Sequence, residues 1–174
     1  MTILGLETSS AMCSVGLFRD KMPDIERSLR ESHIHSEKLL TLVQDVLRSG
    51  ETTLDQLDAI AVSIGPGSFT GLRIGLSTAK GLSFALDKPT IAVPTFEAIA
   101  EAGRQKHPEM SSVVVLMDAK KGEWYVGRFF VEGEGVKESG AVEIKVLGEA
   151  LSFATTSTSL VLTDSVEVVR QHLK

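Results

Sequence analysis

The sequence predicts an α/β protein built from two copies of one βββαβα unit, the second abbreviated. Three observations carry that expectation. Strand-like and helix-like segments follow one another in a fixed order from the N-terminus. Written above one another without a gap, ILGLETSSAMCSVGLF (3–18) and VVLMDAKKGEWYVGRF (114–129) bring Glu7 over Asp118, Val15-Gly16 over Val126-Gly127 and Phe18 over Phe129. After each of these stretches the same element types recur in the same order.

TILGL (2–6) reads as a buried strand, and ETSSAMC as a polar turn. SVGLFR (14–19) and DIERSLRES (24–32) complete an antiparallel meander. A helix follows, with Ser36 as its cap, Glu37 in its first turn, and Leu39, Leu40, Val43, Val46 and Leu47 at helical spacing. Arg48 suits its last turn, and Gly50 its stop. Thr53 and Gln56 have capping-box spacing, which predicts a single helical turn. AIAVSI (59–64) is a strand, residues 68–86 a helix, TIAV (90–93) a strand and Thr95 to about Lys106 a helix. Strands that follow helices add parallel crossovers to the meander. In the second copy VKESGAVEIKV (136–146) supplies the third strand. LGEALSF, SLVLTD and VEVVRQHLK then give helix, strand and helix. The division between the lobes is expected at 108/109, giving 1–108 and 109–174.

Composition narrows the function classes. The 174 residues are 43% hydrophobic, enough for a core, and the formal net charge of −5 argues against independent nucleic-acid binding. A single cysteine, Cys13, rules out an internal disulfide and a cysteine-rich zinc site. No basic n-region opens the chain and no apolar run reaches membrane-spanning length, so a cytoplasmic protein without a membrane role is expected.

The glycine-rich stretch SIGPGSFTGLRIGLSTAKG (63–81) raises the question of a nucleotide. A Walker loop needs Gly-Lys-Ser/Thr five residues after its first glycine; Gly65 plus five is Thr70, and no such sequence follows. A dinucleotide fingerprint fails as well, because Gly65 and Gly67 lead to Thr70 at the third glycine position. Gly65, Gly67, Ser68, Thr70, Gly71 and Gly75 therefore read as a tight strand-to-helix turn, with Ser68 or Thr70 as the cap. No cofactor is expected. His33 and His35, two apart, cannot make one ligand face on a helix, and no metal site is expected. Ser9, Ser10 and Cys13 have no histidine and carboxylate placed beside them by sequence, so no catalytic residue is assigned.

GLETSSAMCSVGLF, HIHSEKLL, IGPGSFTGLRIGLSTAKGLSFAL, PTFEAIA and DAKKGEWYVGRF together resemble the TsaB (YeaZ) family, from residue 3 to about 130. That family lies in the actin, Hsp70 and sugar-kinase (ASKHA, ribonuclease-H-like) superfamily. The resemblance implies an accessory subunit for N6-threonylcarbamoyladenosine at position 37 of ANN-decoding tRNAs. It implies pairing with TsaD, TsaE in the larger complex, a possible homodimer, and contact with tRNA only through the complex. The chain departs from the family pattern at Glu7, where aspartate is usual, and at Thr41, where many members have proline. In the superfamily, acids at the ends of equivalent strands flank an interlobe cleft. Glu7, Thr8 and Asp118 are read here as retained groups of an impaired cleft. The remaining readings are a stand-alone ATPase and, further off, a glycoprotease-like peptidase.

Gly71, Gly75, Ala79 and Ser83 form a row of small residues that admits a neighbouring backbone. The expectation is that part of this neighbour belongs to another protein. The expected interface is Leu39, Leu42, Val43 and Val46 from the first helix with Leu72, Arg73, Leu76 and Lys80 from the second. On that reading Val43→Glu with Leu76→Glu breaks pairing and leaves the monomer folded.

Overall fold

The computed structural model describes residues 1–30, 35–154 and 159–172. It divides into two units, Met1–Pro94 and Thr95–Lys174. The third long helix, Thr95–Lys106, thus falls with the second unit rather than the first, and the division lies before it and not at 108/109.

In the first unit β1 (Thr2–Glu7), β2 (Met12–Arg19) and β3 (Ile25–Arg30) form the expected antiparallel meander. Helix α1 (His35–Ser49), a 3₁₀ turn (Leu54–Gln56), β4 (Ala59–Ser63), α2 (Phe69–Leu86) and β5 (Thr90–Val93) follow. The sheet order is β3-β2-β1-β4-β5, with β4 parallel to β1 and β5 parallel to β4. Period-2 alternation sends Leu4 and Leu6, Cys13, Val15 and Leu17, and Ile60 and Val62 into one core. Leu39, Leu42, Val43 and Val46 of α1 and Ala79 of α2 fill it from the helices. Each good apolar side chain in such a core contributes about 1.5–3 kcal/mol.

The ends of α1 differ from the sequence expectation. Ser36 lies within the helix, whose described span is His35–Ser49, rather than capping it. At the other end Thr52 N–H donates to Leu47 O at 3.0 Å and Glu51 N–H to Arg48 O at 3.1 Å. The left-handed residue of this Schellman arrangement is Glu51, at φ 49°, not Gly50. Gly50 is needed for room instead: a Cβ there would stand 2.5 Å from Leu17 Cδ2. The turn after it forms as the Thr53/Gln56 spacing predicts, with Thr53 N–H donating to Gln56 Oε1 at 2.8 Å.

The second unit comprises α3 (Thr95–Lys106), β6 (Ser112–Lys120), β7 (Glu123–Glu132), β8 (Gly135–Glu138), β9 (Glu143–Val146), α4 (Leu147–Ala154), β10 (Ser159–Thr163) and α5 (Val166–His172). The expected third strand is broken in two. β8 pairs with Phe129–Glu132 and β9 with Glu123–Val126, both on the same side of β7. β10 lies parallel on β6, as β4 lies on β1, so the βββαβα order recurs. The register does not copy over unchanged. Ile3 faces Phe18, but Val113, not Val114, faces Phe129, because the ladder shifts between Asp118 and Lys120. This sheet is apolar on both faces. Val114, Leu116, Trp124 and Val126 pack on α4 and α5, while Val113, Val115, Met117 and Phe129 pack on Phe96 and Ala100 of α3. Hence β6 is an unbroken apolar run, Val113–Met117.

Candidate functional site

The glycine-rich stretch forms a β4-to-α2 turn, and the turn after β1 is keyed into it. Gly65 takes a left-handed φ of 107°, and the Gly65–Pro66 bond is cis. Ser68 caps α2 by accepting from Gly71 N–H at 3.2 Å; Thr70 is already the second residue of the helix. Ser68 N–H in turn donates to Ser9 O at 2.6 Å.

Three glycines make the close approach possible. A Cβ on Gly67 would lie 2.5 Å from Ser9 O, and one on Gly71 would lie 1.9 Å from Thr8 O. On Gly75 it would meet Thr8 Oγ1 at 2.3 Å. Thr8 and Ser9 are buried there, and Thr8 Oγ1 donates to Gly71 O at 2.8 Å. The neighbour admitted by the row of small residues is therefore the chain's own β1–β2 turn. The expectation of a second protein at that row is corrected. Ser83, the fourth member, works at the other end of the helix, where its hydroxyl donates to Lys88 O and its carbonyl accepts from Asp87 N–H.

The α1 half of the expected interface is also corrected. Leu39, Leu42, Val43 and Val46 are at most 5% exposed within their own unit, and Val46 is fully buried. The helix periodicity that singled them out marks the core face. A glutamate at 43 would bury an unpaired charge, so Val43→Glu unfolds the unit rather than testing a partner. On α2, Leu72 and Leu76 are half-buried, and Leu76 packs on the core cluster. Arg73 and Lys80 are exposed.

Sequence reasoning missed two residues on the outer side of α2. Phe84 is 92% exposed and Phe69 69% exposed. The Arg73 guanidinium sits 3.9 Å from the centroid of the Phe69 ring. At ~100° per residue, Phe69, Arg73, Lys80 and Phe84 fall within about 60° of arc, on the side opposite Gly71 and Gly75. The i, i+4, i+11, i+15 spacing of Phe69, Arg73, Lys80 and Phe84 is the sequence signal that marks this face.

The two strand-end acids share a local geometry. Glu7 accepts from Ser9 N–H at 2.5 Å, and its other oxygen accepts from the Ser63 hydroxyl at the end of β4. Asp118 accepts from Lys120 N–H at 2.7 Å and from the Lys120 ammonium at 3.0 Å. Its own N–H donates to Asp164 just past β10. Each carboxylate thus accepts the N–H two residues on, and each group of contacts reaches the neighbouring parallel strand. Burial pushes the Asp118 carboxyl up, but the Lys120 N–H and ammonium outweigh it and hold the group below its ordinary 3.8.

The other candidates carry less. Cys13 is fully buried, and burial, then the Glu7 carboxylate, push its thiol up, away from a reactive thiolate. His33 lies outside the described residues. His107 Nδ1 is 3.4 Å from Glu109, and His172 Nδ1 is 3.0 Å from Val168 O. Among the described residues no three metal-ligating side chains cluster.

Two predictions follow from this geometry. Gly81 lies on α2 with nothing within 4 Å of its would-be Cβ. Gly81→Ala should raise stability by about 1 kcal/mol through helix propensity, while Gly71→Ala should lower it despite the same propensity gain. Urea denaturation measures both; equal shifts would contradict the keyed turn. For Asp118 the folded pKa is depressed, so its stabilisation is present above the ordinary carboxylate pKa and lost as pH falls through the folded value. Wild type should exceed Asp118→Asn in urea midpoint at pH 7, and the difference should shrink as pH falls below the ordinary 3.8 and the folded carboxyl takes up its proton.

The family model of TsaD, tRNA N6-adenosine threonylcarbamoyltransferase, matches residues 30–161. A threonylcarbamoyltransferase of Clostridium perfringens is 35% identical over 109 residues, 59% of this chain and 32% of that protein. Matches to the tRNA threonylcarbamoyladenosine biosynthesis protein TsaB cover more. TsaB of Haemophilus influenzae is 36% identical over 126 residues, 72% of this chain and 52% of its own length. TsaB of Escherichia coli is 34% identical over 136 residues, 78% of this chain and 58% of its own length. The chain thus spans little more than half the length of these relatives. The solved structure of YeaZ from Pseudomonas aeruginosa superimposes with a TM-score of 0.77 at 31% identity, covering 82% of this chain and 66% of that one. Component A of (R)-2-hydroxyglutaryl-CoA dehydratase from Acidaminococcus fermentans, at a TM-score of 0.52 and 10% identity, shares the fold alone. By sequence match over most of its length and by its actin-like fold, the chain belongs to the TsaB/YeaZ family.

Proposed function

We propose that this chain is a non-catalytic subunit of N6-threonylcarbamoyladenosine synthesis on tRNA position 37. In this reading it pairs with the threonylcarbamoyltransferase TsaD through the outer face of α2. The observation that carries the reading is that face itself. Two phenylalanines stand 69% and 92% exposed at its ends, with Arg73 and Lys80 between them. The helix has no acidic residue from Phe69 to Leu86. Aromatic and arginine side chains are the residues that anchor protein interfaces. A positive helix on a chain of net charge −5 suits an apolar partner surface edged with carboxylates.

The hydrogen bonds at Glu7 and Asp118 support a non-catalytic role. Both carboxylates are engaged by the chain's own groups, Glu7 by Ser9 and Ser63 and Asp118 by Lys120. TsaE joins in the larger assembly, and tRNA is met through the complex. A second copy of the chain would compete with TsaD for the same face.

Arg73→Glu with Phe84→Ala should leave the unfolding free energy from urea denaturation within about 1 kcal/mol of wild type, because both positions are exposed and the Arg73–Phe69 contact that is lost is a surface one. It should weaken binding to purified TsaD at least tenfold in calorimetry. Unchanged affinity would move the interface elsewhere. Turnover of ATP by the isolated chain would favour the stand-alone ATPase instead.

A further inference from the structure

The contacts between the β1–β2 turn and α2 have a consequence beyond partner choice. Thr8 O and Oγ1 occupy the space that side chains at Gly71 and Gly75 would fill. Thr8 Oγ1 is bonded to Gly71 O, and Ser9 O receives the N–H of the capping residue Ser68. The Ser9 N–H holds the Glu7 carboxylate, whose other oxygen is held by Ser63 at the start of the glycine-rich loop. Neither part can leave while the other stays. If α2 lifts away, Thr8 and Ser9 lose their burial and the Ser68 and Gly71 bonds. If the turn opens, the first helical turns lose their cap support and face a void.

We propose that the β1–β2 turn, residues 8–11, and helix α2 open and close as one cooperative unit, distinct from α1 and the β2–β3 hairpin. A load on the outer face of α2 is then felt at the turn that holds Glu7. The unit is a mechanical coupling built from backbone proximity, and it does not depend on which partner, if any, occupies α2.

Native-state hydrogen exchange on the full chain tests it, because local openings appear there as shared exchange rates. In wild type the Ser9, Ser68 and Leu72 amides should share one opening equilibrium, within about threefold. Thr8→Val removes the hydroxyl donor and should speed exchange at Ser68 and Leu72 as well as Ser9, by about fivefold for a hydrogen bond worth ~1 kcal/mol. Thr8→Ser keeps the donor and should restore the slow rate. In the reverse direction, Gly81→Ala should slow the Ser9 amide about fivefold, because it strengthens α2 by ~1 kcal/mol. The Gly50 amide, bonded to Val46 O at the end of α1, is the control and should not change. Exchange at Ser9 more than tenfold faster than at Leu72, or a Gly81→Ala effect that stops within α2, overturns the proposal. An equal change at Gly50 also overturns it, since the unit would then be the whole domain. The wild-type comparison needs no variant, so a poorly folded substitution leaves the test intact.

Discussion

The arrangement of the first unit depends on one close approach, that of the Thr8 backbone to the glycine seam of α2. A helix interior normally loses up to about 1 kcal/mol for each glycine it contains in place of alanine. Here Gly71 and Gly75 are retained where a methyl group would fall 1.9 and 2.3 Å from Thr8 atoms. The approach fixes the rotation of α2 about its axis. With Gly71, Gly75 and Ala79 turned inward, Phe69, Arg73, Lys80 and Phe84 must point outward. The same approach buries Thr8 and Ser9 and brings Ser9 O to the helix cap. Core packing and the outward face are thus two results of one constraint.

The duplication shows what was kept and what diverged. Both copies place an acid at the end of the first strand, and both close it onto the N–H two residues later. The copies then part. Glu7 meets a neutral hydroxyl from the parallel strand, whereas Asp118 meets an ammonium from its own turn. A longer acid and a neutral partner in one copy, and a shorter acid with its cation in the other, satisfy the same backbone in different ways. The second sheet also gained cover on both faces through α3, which accounts for the unbroken apolar run of β6.

Much of the fold was legible because it rests on periodicity and turn chemistry. The meander, the parallel crossovers, the 3₁₀ turn at Thr53–Gln56 and the gapless self-match all follow from local residue patterns. What was hidden needed tertiary distances. Leu39, Leu42, Val43 and Val46 form an apolar stripe, and a stripe says that something covers it without saying what. The cover turned out to be the chain's own sheet. The glycine row indicated a close backbone, but not that this backbone was Thr8, sixty-three residues earlier than Gly71. Gly50 reads from sequence as a conformational stop, but the left-handed residue is Glu51, and at Gly50 a Cβ would crowd Leu17. The break between β8 and β9 and the slip after Asp118 depend on hairpin registry, which residue type alone does not set. Phe84 is hidden in the sequence because a phenylalanine in an apolar helix looks like core until its side is known.

Reconstitution of tRNA modification tests the central claim most directly. Purified TsaD, with the other components of threonylcarbamoyladenosine synthesis held constant, would be assayed with and without this chain, and the modified adenosine counted on an ANN-decoding tRNA. The account predicts little modification without the chain and a rise that saturates as the chain is titrated to equivalence with TsaD. Modification that proceeds equally well in its absence would contradict the account.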